Sequence, residues 1–182
     1  YFTKNKGNIK KSILFLVIIF SLLLFFFYCT GGSKKINAAD ENIIKLGRYL
    51  FYDRRLSVNN TRSCGTCHNP QFAFTDGYKR SLGVFADLHQ RNTQPLFNLS
   101  YLKYFTAADS SFRSPFHQMD NPLFNSHPEE MGVKGNEEKI LKGIKADKLY
   151  VSLFASAFPG QKEAINWVKI KESISAFLFK IV

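Results

Sequence analysis

The stretch RSCGTCHNP, residues 62–70, places two cysteines and a histidine in the order C-x-x-C-H. The whole chain of 182 residues has only three cysteines, so Cys64 and Cys67 account for most of its thiol chemistry. A pair with this spacing can form a disulfide, hold zinc, exchange disulfides or attach a haem. Each of these four uses is typical of a different kind of domain, so identifying the use indicates the fold around the pair.

Three of the four uses fit the sequence poorly. A disulfide between residues three apart closes a very small loop and constrains little of the unfolded chain. Zinc needs four ligands, and no second C-x-x-C or H-x-x-x-H pattern supplies the others. A thioredoxin-like redox pair is expected in a β-α-β setting, whereas the sequence around this motif is rich in turn-forming residues.

Covalent attachment of haem is the use that the motif satisfies completely. It needs two thiols that bond to the vinyl groups of the ring and an adjacent histidine that binds the iron. Cys64, Cys67 and His68 supply these groups within five residues. We therefore predict a covalent haem c at Cys64 and Cys67, with His68 as the proximal ligand of the iron.

The N-terminal residues have the pattern of an export signal. Four lysines precede an apolar run at 13–28, and the polar stretch TGGSKK follows at once. This run of about 16 residues is shorter than the roughly 20 of a membrane span and suits a signal-peptide core. We predict a signal peptide or lipoprotein signal over 1–29, with Cys29 as the residue that would be lipidated, followed by a linker at 30–41. The mature domain is then periplasmic, and an uncleaved N-terminal anchor is the alternative.

Most of the remaining chain has helical periodicity. Apolar residues recur at helical spacing in 39–53, in 150–157 and near the C-terminus, and no strand alternation of useful length is present. Three polar residues are predicted N-caps: Asp40, Asn136 and Asn166. The fold class predicted from these patterns is all-α.

A long segment between the helices, residues 69–135, is rich in Asn, Pro, Ser, Gly and aromatic residues and has little periodicity. Such a stretch is unusual in a compact domain unless it wraps something. A haem is a body of suitable size, so we predict long haem-wrapping loops.

Four segments, in this order and spacing, carry a resemblance to a known family: LGRYLFYDRRLS, TRSCGTCHNPQFAFTDG, RNTQPLFN and HPEEMGVKG. Over residues 42–182 the chain resembles the N-terminal haem domain of bacterial di-haem cytochrome c peroxidases, and it is most similar to their MauG-like branch. The resemblance implies a cytochrome c-like helical fold with one haem c in this chain. The C-terminal haem domain of the family is absent from this chain, so a fragment of a longer protein or a degenerate gene is expected.

The resemblance also implies a reaction. Members reduce hydrogen peroxide to water at the N-terminal haem, with electrons from the second haem domain or from a small redox protein such as a cytochrome c or a cupredoxin. Relatives in the MauG-like branch instead oxidise an aromatic residue of a partner protein. A mono-haem domain that only carries electrons, or is inactive, is the third interpretation.

Further site residues follow from the family motifs. Glu130 matches the acid–base glutamate beside the peroxide, Gln118 a distal glutamine, and Asn92 a ligand of a calcium ion between the two haem domains. His89 lies near the family's distal histidine and is our candidate for the sixth ligand of the iron. Splitting a bound peroxide requires a group that takes a proton from one oxygen and returns it to the other, which a carboxyl group can do. The alternative for Glu129 and Glu130 is a solvated pair on a loop.

Other features bear on partners. The family's W-D-G-like segment, which helps electrons to pass between the haems, is replaced here by YFTAADSSF, and Trp167, the only tryptophan, is predicted to be a core residue. The formal charge of +11, about +7 without the four lysines of the leader, favours an acidic redox partner or anionic lipid. Nucleic acid is not expected as a partner, because no nucleic-acid motif is present. Contact with a membrane is expected only through a retained N-terminal anchor.

Overall fold

A computed structural model of the chain describes residues 13–21 and 38–182, and of 38 and 39 it describes the backbone alone. The chain divides into two compact units, 1–36 and 37–182. In the first unit, residues 13–21 form helix α1. Cys29 and most of the predicted leader and linker lie outside the described residues. Among the helices described, none is both long enough and apolar enough to cross a membrane.

The second unit consists of helices joined by turns and loops. Seven α-helices follow α1 in the described part of the chain: α2 (Ala38–Tyr52), α3 (Cys64–Cys67), α4 (Pro115–Gln118), α5 (Asp120–Phe124), α6 (Glu137–Lys145), α7 (Lys148–Ala157) and α8 (Trp167–Leu178). Single 3-10 turns lie at Arg54–Leu56, Pro70–Phe72 and Leu99–Tyr101. Within 38–182 the only β pairing is two isolated bridges, Asn69 with Thr75 and Leu82 with Leu88. The prediction of an all-α fold is confirmed.

The core of this unit lies where α2 packs against α8 and α7. Leu50 of α2 and Ile170 and Ile174 of α8 are almost completely buried, and burying such a side chain contributes about 1.5–3 kcal/mol. The crossing of α2 and α8 is very close, because a Cβ on Gly47 would lie 1.9 Å from the carbonyl oxygen of Ser173. Only glycine fits at this point of α2.

The helix starts agree in part with the predicted caps. The side chain of Asn166 accepts a hydrogen bond from a backbone N–H in the first turn of α8, as predicted. Helix α2 begins at Ala38, so Asp40 lies inside the first turn and is not the cap; there its charge favours the helix dipole. Asn136 precedes α6, but its side chain makes no capping bond. The Asp147 cap of α7 was not predicted.

The segment predicted to be a loop contains the short helices α4 and α5, and backbone hydrogen bonds fix it from several sides. Met131 N–H donates to the carbonyl of Pro122 at 3.1 Å, and Val133 N–H donates to that of Leu123 at 3.1 Å. These bonds hold the segment that carries Glu130 alongside α5.

Helix α8 contributes to this region as well. Lys171, whose side chain is 9% exposed, places Nζ 2.5 Å from a carboxylate oxygen of Asp120 and 4.1 Å from the centre of the Phe116 ring. Trp167 is partly buried against the core, as predicted, and its ring packs edge-on against Phe124 at 5.5 Å. The α4–α5 segment is therefore tied to the helical core by one charged and one aromatic contact.

Candidate haem site

The C-x-x-C-H motif begins with a single helical turn, α3. Ser63 precedes this turn: its N–H donates to Oγ1 of Thr66 at 3.0 Å, and the hydroxyl groups of the two residues lie 3.1 Å apart. Residues three apart on a helix share one face, so Cys64 and Cys67 lie on the same side of the turn. The N–H of His68 donates to the carbonyl of Cys64 at 2.8 Å, which places the imidazole directly after both thiols.

The ring of His68 is oriented as a metal ligand requires. Its Nδ1 lies 2.9 Å from the carbonyl oxygen of Phe74, so the neutral ring donates from Nδ1 and keeps the Nε2 lone pair for a metal. Burial lowers the pKa of His68, which favours this neutral form. Ala73 and Phe74 adopt left-handed backbone conformations (φ 53° and 58°) as the chain turns back toward the histidine.

The two thiols lie in surroundings that favour their protonated form. Burial raises the pKa of Cys64 to about 12 and also raises the pKa of Cys67. A guanidinium nitrogen of Arg62 lies 3.9 Å from the sulfur of Cys67, a contact that the sequence did not indicate. A thiol–disulfide exchange site needs a stabilised thiolate, so this environment is unlike that of a redox pair and is compatible with haem attachment.

Glu130 and His89 approach each other beside these thiols. A carboxylate oxygen of Glu130 lies 3.9 Å from Nδ1 of His89, which is too far for a hydrogen bond. Burial raises the pKa of Glu130 and lowers that of His89, so desolvation penalises the charged form of each group. The charge of Glu130 also contributes to the raised pKa values of Cys64 and Cys67. Four residues singled out from the sequence therefore lie in one region.

Glu130 occupies a partly open position. Its side chain is 42% exposed, and burial by surrounding atoms nevertheless raises its pKa, so the carboxyl group is only partly desolvated. The backbone on its N-terminal side is fixed, because the N–H of Val84 donates to the carbonyl of Glu129 at 3.0 Å. The catalytic role of Glu130 and the alternative of a solvated pair on a loop both stay predictions.

His89 has a nitrogen suited to binding a metal. Its side chain is 9% exposed, and within the part of the chain that the structure describes its buried Nε2 has no hydrogen-bond partner. Its backbone N–H donates to the carbonyl of Ser81 at 2.8 Å, which fixes the residue in the loop. A buried nitrogen without a partner costs about 1–3 kcal/mol, and coordination to a metal would offset that cost. Together with His68, this donor set fits a haem iron, while the sixth-ligand role of His89 stays a prediction.

A buried polar network connects two loops of the site. The hydroxyl group of Thr93 donates to a carboxylate oxygen of Asp76 at 2.8 Å and lies 2.6 Å from the hydroxyl group of Ser81. Ser81 and Thr93 are both buried. The network joins the loop after His68 to the loop that carries His89. Sequence reasoning missed it, because single Ser, Thr and Asp residues carry no pattern that indicates such a contact.

Two other predicted residues lie apart from this group. Gln118 is half-buried at the end of α4, and among the described residues no hydrogen bond joins its side chain to Glu130. Asn92 is exposed. In 13–21 and 38–182, no group of three or more His, Cys, Asp or Glu side chains is arranged to hold a metal ion. The catalytic role of Gln118 and the calcium role of Asn92 stay predictions.

Comparison with known proteins gives consistent results. The family model described as di-haem cytochrome c peroxidase matches residues 41–182. The chain is 32% identical over 143 residues to the methylamine utilization protein MauG of Methylorubrum extorquens, covering 79% of this chain and 39% of that protein. It is 27% identical over 136 residues to the cytochrome c551 peroxidase of Pseudomonas aeruginosa, covering 73% and 37%.

A solved structure agrees with these sequence matches. The crystal structure of a MauG-like protein associated with microbial copper homeostasis aligns with a TM-score of 0.76 and 39% identity, over 78% of this chain and 41% of that one. The predicted cytochrome c-like helical haem fold is thereby confirmed. The chain spans about two fifths of the length of these relatives.

Proposed function

This chain belongs to the di-haem cytochrome c peroxidase family, and we propose that it is the domain in which hydrogen peroxide is reduced to water. Family membership implies a c-type haem, which Cys64, Cys67 and His68 would hold. When bound, the haem iron supplies the electrons that split the O–O bond. The observation that carries the proposal is the position of the Glu130 carboxyl group, 3.9 Å from Nδ1 of His89, where its charge contributes to the raised pKa values of both cysteines.

Glu130 acts as the proton carrier in this proposal. Its carboxylate accepts the proton of one peroxide oxygen, and the resulting carboxyl group returns it to the other oxygen as that atom leaves as water. A raised pKa suits both steps. The carboxylate is then a stronger base toward the peroxide, and the carboxyl group keeps its proton for return at higher pH than an ordinary glutamate would. The neighbouring bonds from Val84 to Glu129 and from Met131 to Pro122 fix the backbone on both sides of Glu130.

His89 sets the resting state in the same proposal. If its Nε2 occupies the sixth position of the iron, the ferric protein is low-spin, and His89→Ala is expected to become high-spin and to bind cyanide faster. Visible absorption spectra of the two ferric proteins, followed by mixing with cyanide, test this expectation. Identical spectra would remove His89 from the iron and leave an open or water-bound site.

The setting of the domain is part of the proposal. The leader pattern supports export to the periplasm, either as a free protein or as a lipoprotein modified at Cys29. Electrons would come from a second haem domain or from a small redox protein such as a cytochrome c or a cupredoxin. A calcium ion held in part by Asn92 would lie between the two haem domains.

A second candidate function is oxidation of an aromatic residue in a partner protein. It is favoured by the 32% identity to MauG and by the similarity to the MauG-like crystal structure. Both functions use the proton transfer at Glu130, and they differ in the source of the electrons. A small reduced redox protein that is oxidised catalytically by peroxide supports the first function, whereas modification of a partner protein supports the second.

The experiment that tests the proposal is replacement of Glu130 by glutamine in the full-length holoprotein. Loss of the proton carrier is expected to slow the reaction of the haem with peroxide by about 10²- to 10⁴-fold. Stopped-flow absorbance of the haem against peroxide concentration measures the rate, with the haem of the second domain reduced beforehand.

Glu129→Gln is the matched control, because it makes the same charge change one residue away and is expected to have little effect. Covalent haem content and helix content should equal those of the wild type in both variants. Equal peroxide rates for all three proteins would mean that Glu130 takes no part in the proton transfer, and the proposal would then fail at its central residue.

A further inference from the structure

Arg62 lies just before the turn to which the haem would be attached, and its side chain reaches the second thiol. A guanidinium nitrogen of Arg62 lies 3.9 Å from the sulfur of Cys67. The backbone is fixed on both sides of this residue. The N–H of Arg62 donates to Oγ of the buried Ser57 at 3.1 Å, and the next residue, the buried Ser63, begins the turn. The proton transfer proposed above does not use this cation.

The charge of Arg62 is not paired within the described part of the chain. The side chain is half-buried, and among the described residues no ion pair joins it to an aspartate or a glutamate. Arg55, on the preceding 3-10 turn, behaves differently, because it pairs with Asp53 at 2.8 Å and with Asp147 at 2.9 Å. A partly buried charge is screened less by salt than an exposed one. Its field therefore acts on the groups around it.

The field of Arg62 reaches two residues of the candidate haem site. Burial raises the pKa of Cys67, and among the charges that act on this thiol that of Arg62 has the largest effect, opposing the rise. The charges of Asp76 and Glu130 act on the same thiol in the other direction, each more weakly. Burial also lowers the pKa of His89, and the charge of Arg62 lowers it further. The residue at which the ring would be bonded and the candidate sixth ligand therefore both lie in the field of this cation.

We infer that Arg62 sets the reduction potential of the haem that Cys67 would hold, by stabilising the reduced iron with its positive charge. The inference rests on the proposed function, because it concerns the haem of that reaction. When ferric iron takes up one electron, the charge of the haem falls by one, so a nearby cation favours the ferrous form. The haem propionates do not neutralise this cation, because they project from the side of the ring opposite the vinyl groups to which the thiols bond.

A higher potential has a consequence for the reaction. One peroxide, two electrons and two protons give two waters, and the electrons that leave the haem must be replaced. A cation that holds electrons on the iron makes the haem, once peroxide has oxidised it, a stronger oxidant toward their source. The source is the second haem domain or a redox protein in the first candidate function, and an aromatic side chain in the second. An aromatic side chain is the hardest of these to oxidise, so Arg62 matters most for the second function.

The test measures the reduction potential of this haem in the full-length holoprotein, by spectroelectrochemical titration without peroxide. Arg62→Gln removes the charge and keeps a polar side chain, whereas Arg62→Lys keeps the charge. Arg54→Gln is the matched control, because it removes the same charge from an exposed residue outside the candidate haem site. The variant with Cys64→Ala and Cys67→Ala should lack this haem, so the titration wave that is missing in that variant belongs to it.

We expect Arg62→Gln to shift the ferric–ferrous equilibrium at least about tenfold toward the ferric form, which lowers the potential by at least about 59 mV. The other two single variants should shift it less than about threefold. The ferric and ferrous spectra should not change, because a charge acts on the iron without replacing its ligands. No shift, equal shifts in Arg62→Gln and Arg54→Gln, an equal shift in Arg62→Lys, or a change of iron ligands would overturn the inference. The expected shift together with an unchanged peroxide rate in Glu130→Gln would instead contradict the proposed function alone.

Discussion

The helical core and the site loops of this domain are held by different kinds of interaction. In α2, α7 and α8 the large, fully buried side chains are almost all apolar: Leu46, Leu50, Phe51, Tyr150, Phe154, Ile170 and Ile174. Residues 53–136 also contribute apolar side chains to this core, such as Leu123 and Val133, but the loops around the site depend in addition on hydrogen bonds such as those of Thr93 and His68. Five non-glycine residues there have a left-handed backbone: Asn60, Ala73, Phe74, Ala86 and Asn98.

This difference has a physical consequence. Apolar burial has no direction, so a helical core tolerates changes that keep its volume and suffers mainly from overpacking and cavities. Hydrogen-bonded loops need particular partners at particular positions, and each left-handed residue outside glycine costs free energy that its contacts must offset. The core can therefore be changed widely without affecting the chemistry, whereas the site depends on a few bonds and on its haem.

The largest expected effect is on the site loops, through loss of the haem. Cys64→Ala combined with Cys67→Ala should remove all covalent haem from protein made with a haem-ligation system in the periplasm. Wild type should stay red after denaturation in acid acetone. Cys29→Ala is the matched control, because it removes the remaining cysteine and should keep the haem; release of haem from the wild type would exclude covalent attachment.

The double variant also tests the comparison between the two regions. Hydrogen exchange should become faster in 69–94, which surrounds His68 and His89, by more than in α2 and α8. The reason is that the loops lose contacts to the haem, while the helices keep their apolar contacts with one another. Equal losses of protection in both regions would mean that the core depends on the haem as much as the loops do.

The next effect concerns the core. Gly47→Ala adds a Cβ that would lie 1.9 Å from a backbone oxygen of α8, so the helices must move apart, at a cost of about 3 kcal/mol in the free energy of unfolding. Gly143→Ala is the matched control on α6, where no described atom beyond the backbone of its own helix lies within 4 Å of the new Cβ, and it should stabilise the helix by up to about 1 kcal/mol. Urea unfolding of both variants measures the costs; a neutral Gly47→Ala would show that the two helices separate easily.

The same difference explains which features the sequence predicted. The helical regions were predicted because apolar spacing is a local pattern, and α7 and α8 lie where that pattern placed them. The start of α2 was misplaced, because Asp40 suits the first turn as well as the cap. Helices α4 and α5 were missed, since four or five residues are too short to show helical periodicity.

The site was predicted only where residues form a motif. Cys64, Cys67 and His68 lie within five residues of one another, and Glu130 was identified through its family segment. The network of Asp76, Ser81 and Thr93 and the position of Arg62 beside Cys67 were not predicted, because these contacts join residues that no local pattern relates. Proximity of His89 to Glu130 likewise depends on how two loops fold together, which periodicity does not indicate.

The smallest expected effect lies at the contact that joins the two regions, between Lys171 of α8 and Asp120 of α5. Lys171 is buried and Asp120 is 47% exposed, so removing the aspartate leaves a buried ammonium group without its partner. Asp120→Asn should therefore cost about 1–2 kcal/mol in the free energy of unfolding. Lys171→Met removes the charge and keeps an apolar chain of similar length beside Phe116, so it should cost less than about 1 kcal/mol.

Urea unfolding of the two single variants and the double variant gives both costs and their coupling. A larger cost for Lys171→Met than for Asp120→Asn would mean that the contact of the ammonium group with the Phe116 ring, worth about 0.5–2 kcal/mol, stabilises this junction more than the ion pair does.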